Sequence, residues 1–116
     1  MQTKVARMAF QPFCLELGRH LRKASGNPRD WEWERALIGR ANREFGVVSE
    51  DHGYIRARDV RIGMRGCAVL ASLGQPSSVH TTTTARGERH QLAFDRPVRR
   101  FVYLDQDRVE GFQTLN

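Results

Sequence analysis

The chain has 116 residues, 28% charged and 40% hydrophobic, with 19 Lys and Arg against 13 Asp and Glu for a formal net charge of +6. That balance fits a single compact basic domain over residues 1 to 116, and it excludes a disordered tail and, with no apolar run near the ~20 residues a bilayer requires, a membrane-spanning helix. Only Lys4 and Lys23 are lysines and the other 17 cations are arginines, whose planar five-donor fork suits phosphates and carboxylates, so the expected partner is a polyanion or an acidic protein surface.

The opening MQTKVARMAFQPF has neither a continuous apolar stretch nor a small-residue cleavage site, and the cytoplasm is the expected compartment. Behind Pro12, the residues Phe13, Cys14, Leu17, Leu21 and Ala24 recur at helical spacing, predicting a helix from about residue 11 to 25 that stops at Ser25-Gly26-Asn27-Pro28. Arg19, Arg22 and Lys23 fall on its opposite arc. Residues 1 to 29 carry a net +5, so most of the positive field originates here, whereas the last hairpin is acidic, with Asp105, Asp107 and Glu110 against Arg108.

Asn27 or Asp30 can cap a second helix, with Glu32 and Glu34 at its positive dipole end. Its buried stripe is read as Trp33, Leu37, Ala41 and Phe45, with Ile38 and Trp31 adjoining, and Gly46 ends it. Between 47 and 75 a helix or irregular helical segment is expected from Ser49, which would put Arg58, Arg61 and Arg65 on one face beside Arg56. CAVLASL is apolar enough to be buried in any conformation, and Gly74 with Pro76 closes it.

From Ser77 the pattern changes to strands: Val79 to Thr84, a turn at Ala85-Arg86-Gly87-Glu88, Arg89 to Phe94, Val98 to Leu104 and Val109 to Leu115. The fold class is therefore α+β, with two or three N-terminal helices packed on a C-terminal antiparallel meander of three to four strands. The terminal strand Val109 to Leu115 would offer an edge for pairing two copies into a homodimer.

Cys14 and Cys67 lie far apart outside any CxxC pattern, so they read as small buried hydrophobes, with neither a zinc site nor a disulfide. A two-residue loop at Arg86-Gly87 would set Thr83 opposite His90 and His80 opposite Ala93, with the two histidines on opposite faces and unable to share a metal. No cofactor is expected, because Gly-rich phosphate loops, a GxSxG elbow and an HExxH helix are all absent.

The leading functional expectation is non-catalytic binding of nucleic acid or a nucleoprotein, with phosphate contacts from Arg19, Arg22, Lys23, Arg58, Arg61, Arg65, Arg86 and Arg89. Helices followed by a hairpin also match the element order of winged-helix DNA binders, with Arg86 and Arg89 at the hairpin tip, although the meander is longer than a wing. The alternative is a small inhibitor or adaptor of the kind mobile elements encode, using exposed arginines on an acidic protein surface. A third reading is a metal-independent, toxin-like ribonuclease drawing on His90, Glu88, Arg89 and Arg100.

Overall fold

The computed structural model describes residues 11–23, 28–96 and 98–115. Among these residues four helices precede four strands: α1 (Gln11–Arg22), α2 (Pro28–Phe45), α3 (Ser49–Arg56), α4 (Gly66–Leu73), β1 (Ser78–Thr84), β2 (Gly87–Phe94), β3 (Arg99–Asp105) and β4 (Arg108–Leu115). The strands form one antiparallel meander in the order β1-β2-β3-β4. One face of the sheet, through Leu92, Phe94, Val102, Leu104 and Val109, shares a core with Cys14, Leu17, Leu21, Leu37, Ala41 and most of α4. The α+β arrangement read from the sequence is the one observed, and no helix of the described residues is long and apolar enough to cross a membrane.

α4 is the centre of the helical layer because GCAVLASL leaves no polar arc, and every residue from Gly66 to Ser72 is buried. α1 lies against it. An added Cβ at Gly18 would come within 2.0 Å of the Ala71 carbonyl oxygen, so only glycine allows the two backbones to approach this closely. One turn earlier on both helices, Cys14 and Cys67 form a disulfide, with Cα atoms 5.2 Å apart. This corrects the reading of the two cysteines as free hydrophobes: they are 53 positions apart in the chain, and parallel packing of α1 on α4 brings them together. Closing a loop of that length stabilises the fold by about 4 kcal/mol in the chain-entropy account.

α2 ends where expected. Gly46 adopts φ 69°, and the Val47 N–H reaches back to the Ala41 carbonyl at 3.1 Å. Its buried stripe is narrower than the spacing predicts, since Leu37 and Ala41 are buried while Trp33 is 54% exposed, its ring edge-on to His20 at 6.3 Å. Phe45 is half-buried against Phe13, and the Arg40 guanidinium covers the Phe13 ring at 4.6 Å.

Between α3 and α4 the chain is not helical. α3 stops in a Schellman motif, in which the Arg58 N–H bonds to the Ile55 carbonyl and the Asp59 N–H to the Tyr54 carbonyl, with Arg58 itself at φ 56°. The following segment runs beside β4: the Gly63 N–H donates to the Val109 carbonyl at 2.8 Å and the Val109 N–H to the Met64 carbonyl at 2.9 Å. Arg58, Arg61 and Arg65 therefore do not share a helical face, and the first residues of β4 are not the open edge expected of that strand. The first hairpin turns at Ala85-Arg86, one residue earlier than the loop assumed from sequence, so Thr81 faces His90 and His80 faces Gln91. The two histidines still point to opposite faces, because the register moved by two.

Gly18→Ala is expected to lower unfolding stability by about 1–3 kcal/mol in denaturant titrations, because the opposing Ala71 carbonyl is backbone and overpacking outweighs the ~1 kcal/mol helix-propensity gain. A neutral or stabilising effect would mean that α1 and α4 are not in backbone contact.

Candidate nucleic-acid interface

Four of the eight arginine and lysine positions singled out from sequence face carboxylates. Arg19 lies 3.5 Å from Glu16, and both are on the exposed side of α1. Arg65 Nε bonds Asp107 Oδ2 at 2.9 Å, tying the start of α4 to the β3–β4 turn. Arg89 Nε bonds Glu110 Oε2 at 3.1 Å across the outer face of the sheet, and that bond raises the Arg89 pKa further. Arg61 is the most committed: Nε and Nη2 both reach Asp51 Oδ1, at 2.9 and 2.8 Å, and Asp51 is 1% exposed. The other Asp51 oxygen accepts the Val48 N–H at the start of α3. Removing Arg61 would strand a buried carboxylate, so Arg61 serves the fold rather than a solvent-facing surface.

Arg86 occupies the β1–β2 turn, exposed, its carbonyl accepting a bond from Gln106 Nε2 at 2.9 Å. It lies at the opposite end of the sheet from Arg100, which pairs with Phe94 near the β2–β3 connection. Of the remaining three, Lys23 is exposed just after the end of α1, and Arg22 and Arg58 are brought together with two residues outside that set, Arg56 and Arg100.

The convergence arises from helix ends. Arg22, read as lying on the solvent arc, instead turns inward, and its Nη1 donates to the carbonyls of Ile55 (3.2 Å) and Ala71 (2.7 Å) near the C-termini of α3 and α4. Arg56 Nε returns the contact by donating to the Leu21 carbonyl near the end of α1 at 3.0 Å. Unpaired carbonyls and the negative dipole end at each terminus favour a guanidinium there. Arg100 Nη1 then donates to the Arg58 carbonyl at 3.0 Å, while its Nε is buried with no acceptor. Burial, and next the charge of Arg58, pull the Arg22 pKa below the usual guanidinium range. Among the described residues, none of Arg22, Lys23, Arg56, Arg58 and Arg100 has a carboxylate within ion-pair distance.

Arg100 carried a readable signal. In the alternation Arg100, Val102, Leu104, it is the charged member of the core-facing set, and an arginine on that face must find a partner at the core's rim. Arg56 gave no such signal until the C-terminus of α3 was located. Arg58, like Gln106 and Asp107 in the β3–β4 turn, is a non-glycine residue in the left-handed region, strained by roughly 1–2 kcal/mol.

The ribonuclease constellation is not assembled. His90 is buried on the inner face, with Nδ1 2.9 Å from Thr81 Oγ1 and Nε2 3.6 Å from Glu88 Oε1. Arg89 occupies the opposite face, and Arg100 is aligned with Phe94, four residues along β2 from His90. No group of three or more metal-ligating side chains occurs among the described residues. No family model, curated protein or solved structure matches the chain.

Two stability measurements test this arrangement. Arg58→Gly should raise unfolding stability by about 1 kcal/mol, because it relieves left-handed strain and removes a charge beside Arg22; a drop would show that the guanidinium supports the fold. For His52, burial first and Arg56 second hold the imidazole below its ordinary value near 6.5, against the pull of Asp51 and Glu34. Its contribution is complete above the ordinary value, is lost as pH falls through 6.5 towards the lowered folded value, and then levels off. His52→Gln should therefore flatten the pH dependence of unfolding free energy in the range just below pH 6.5, and an unchanged profile would reject the assignment.

Proposed function

We propose that the protein binds nucleic acid without catalysing a reaction, through phosphate contacts from Lys23, Arg56, Arg58 and Arg100 with Arg22 behind them. The observation that carries this reading is the neutralisation pattern. Arg19, Arg40, Arg61, Arg65, Arg89 and Arg99 have carboxylate partners; of the described arginines that lack one, Arg35, Arg43, Arg86, Arg96 and Arg108 are spread over α2, the β1–β2 turn, the β2–β3 connection and β4, whereas Arg22, Arg56, Arg58 and Arg100 converge at three helix C-termini. Desolvated carbonyls hold Arg22 and Arg56 in fixed poses, leaving their outer N–H donors available, and a preordered guanidinium loses less entropy on meeting a phosphate. The strain at Arg58 fits a side chain retained for binding at the expense of stability. Phosphate contacts of this kind position a protein on nucleic acid without reading bases.

The proposed alternative, docking on an acidic protein, uses the same cations and is separated by salt response and by nuclease. Fluorescence anisotropy of a labelled oligonucleotide across a salt series should give a log–log slope of about −0.9 per phosphate on a duplex or about −0.7 on a single strand. Arg58→Gln and Arg100→Gln should each weaken binding and reduce that slope by roughly 1, while Arg86→Gln leaves it unchanged. Equal loss from Arg86→Gln, or no loss from the other two, would overturn the assignment. Capture of a protein partner that survives nuclease digestion would favour the alternative.

A further inference from the structure

We infer that β1 is a self-association edge, through which two copies of this chain pair into a continuous antiparallel sheet. This inference is independent of the phosphate contacts above and rests on a different part of the molecule. All seven residues of β1 are exposed, and among the described residues the strand pairs with β2 on one side, leaving its other edge open. The opposite edge is treated differently, since Gly63 to Gly66 bond to Asp107 and Val109 and cover the start of β4.

Natural edges are commonly guarded by lysine, proline or a bulge, because their free N–H and C=O groups are a template for another strand. β1 has none of these. Its seven-residue register with β2 is uninterrupted, and its sequence SVHTTTT is rich in β-branched residues and holds no proline. No Lys, Arg, Asp or Glu occurs from Gly66 to Ala85 in a chain that is 28% charged. Burial of α4 accounts for that stretch only as far as Ser72. From Gln75 to Ala85 the absence of charge has no explanation inside one copy. Val79, 50% exposed, adds an apolar side chain to the same edge.

Charge selects the occupant. Each copy carries a formal +6, and two copies meeting through their arginine-bearing surfaces would set guanidinium against guanidinium. Along β1 that repulsion is absent. A two-fold axis through Thr81 sets Ser78 opposite the second copy's Thr84, Val79 opposite Thr83, His80 opposite Thr82, and Thr81 opposite itself. No cross-strand pair then contains a Lys, Arg, Asp or Glu, and each includes a threonine.

Sedimentation velocity on the full chain over a concentration series tests the pairing. The wild type is expected to show a reversible monomer–dimer equilibrium. Thr82→Lys and Thr82→Glu place like charges diagonally across the axis, and each should raise the dimer dissociation constant about tenfold or more. An equimolar mixture of the two variants should recover the dimer, because Lys then faces Glu; this recovery also shows that both variants remain folded. A wild type that stays monomeric, a Thr82→Lys dimer of unchanged affinity, or a mixture that fails to recover would each overturn the proposal.

Discussion

The close approach of α1 to α4 is the contact on which the rest of the molecule depends. Cys14, Gly18 and Arg22 follow one another at four-residue spacing along α1, and each meets α4 in a different way: by a disulfide to Cys67, by van der Waals contact with the Ala71 backbone, and by a hydrogen bond to the Ala71 carbonyl. A helix seam of this kind requires small residues at its centre, because any side chain at Gly18 would separate the backbones. Were they separated, Arg22 could no longer bridge Ala71 and Ile55, and the C-terminal ends of α1, α3 and α4 would lose their common partner. The disulfide holds the seam from within the core, where Cys14 and Cys67 are 0% and 1% exposed. Disulfides are ordinarily kept in oxidising compartments, and this pair is the feature of the chain that bears on where it resides.

Seen from that seam, the arginine content divides by partner. Arg61 compensates the buried Asp51, Arg65 anchors a turn, and Arg89 and Glu110 neutralise each other on the sheet. The same guanidinium chemistry serves both ends: a fork that satisfies a carboxylate inside a protein will also satisfy a phosphate outside it. A residue count cannot separate the two uses. The three-dimensional arrangement can, and it gathers four guanidinium groups without carboxylate partners, those of Arg22, Arg56, Arg58 and Arg100, near the helix C-termini.

Legibility in the sequence followed the range of the forces involved. Apolar periodicity located α1 and α2, a β-branched run, turn residues and the alternation of Val98 to Leu104 located the strands, and Gly46 and Gly74 marked real helix ends, because each of these is set by neighbours in the chain. What failed was set by distant partners. Trp33 fits the apolar stripe of α2, yet it is 54% exposed, with the His20 ring of α1 edge-on to it. The segment from Ala57 to Arg65 has the spacing of an arginine-faced helix, but Gly63 and Met64 pair with β4, and this long-range ladder outweighs a weak local preference. The Cys14–Cys67 bond joins positions that only the packing of α1 on α4 makes adjacent. For the interface, Arg22, Lys23 and Arg58 were legible as cations, whereas their separation from Arg61, Arg65 and Arg89 depended on where Asp51, Asp107 and Glu110 fold.

The central claim is that the fold commits some guanidinium groups to internal partners and leaves the helix C-terminal cluster free to meet phosphate. Arginine Nε–Hε resonances followed by NMR during titration with a short oligonucleotide address it residue by residue. The account predicts that the signals of Arg56, Arg58 and Arg100 shift or broaden, while those of Arg61, Arg65 and Arg89 stay in place. Perturbation of the carboxylate-paired arginines with the cluster unmoved would contradict it.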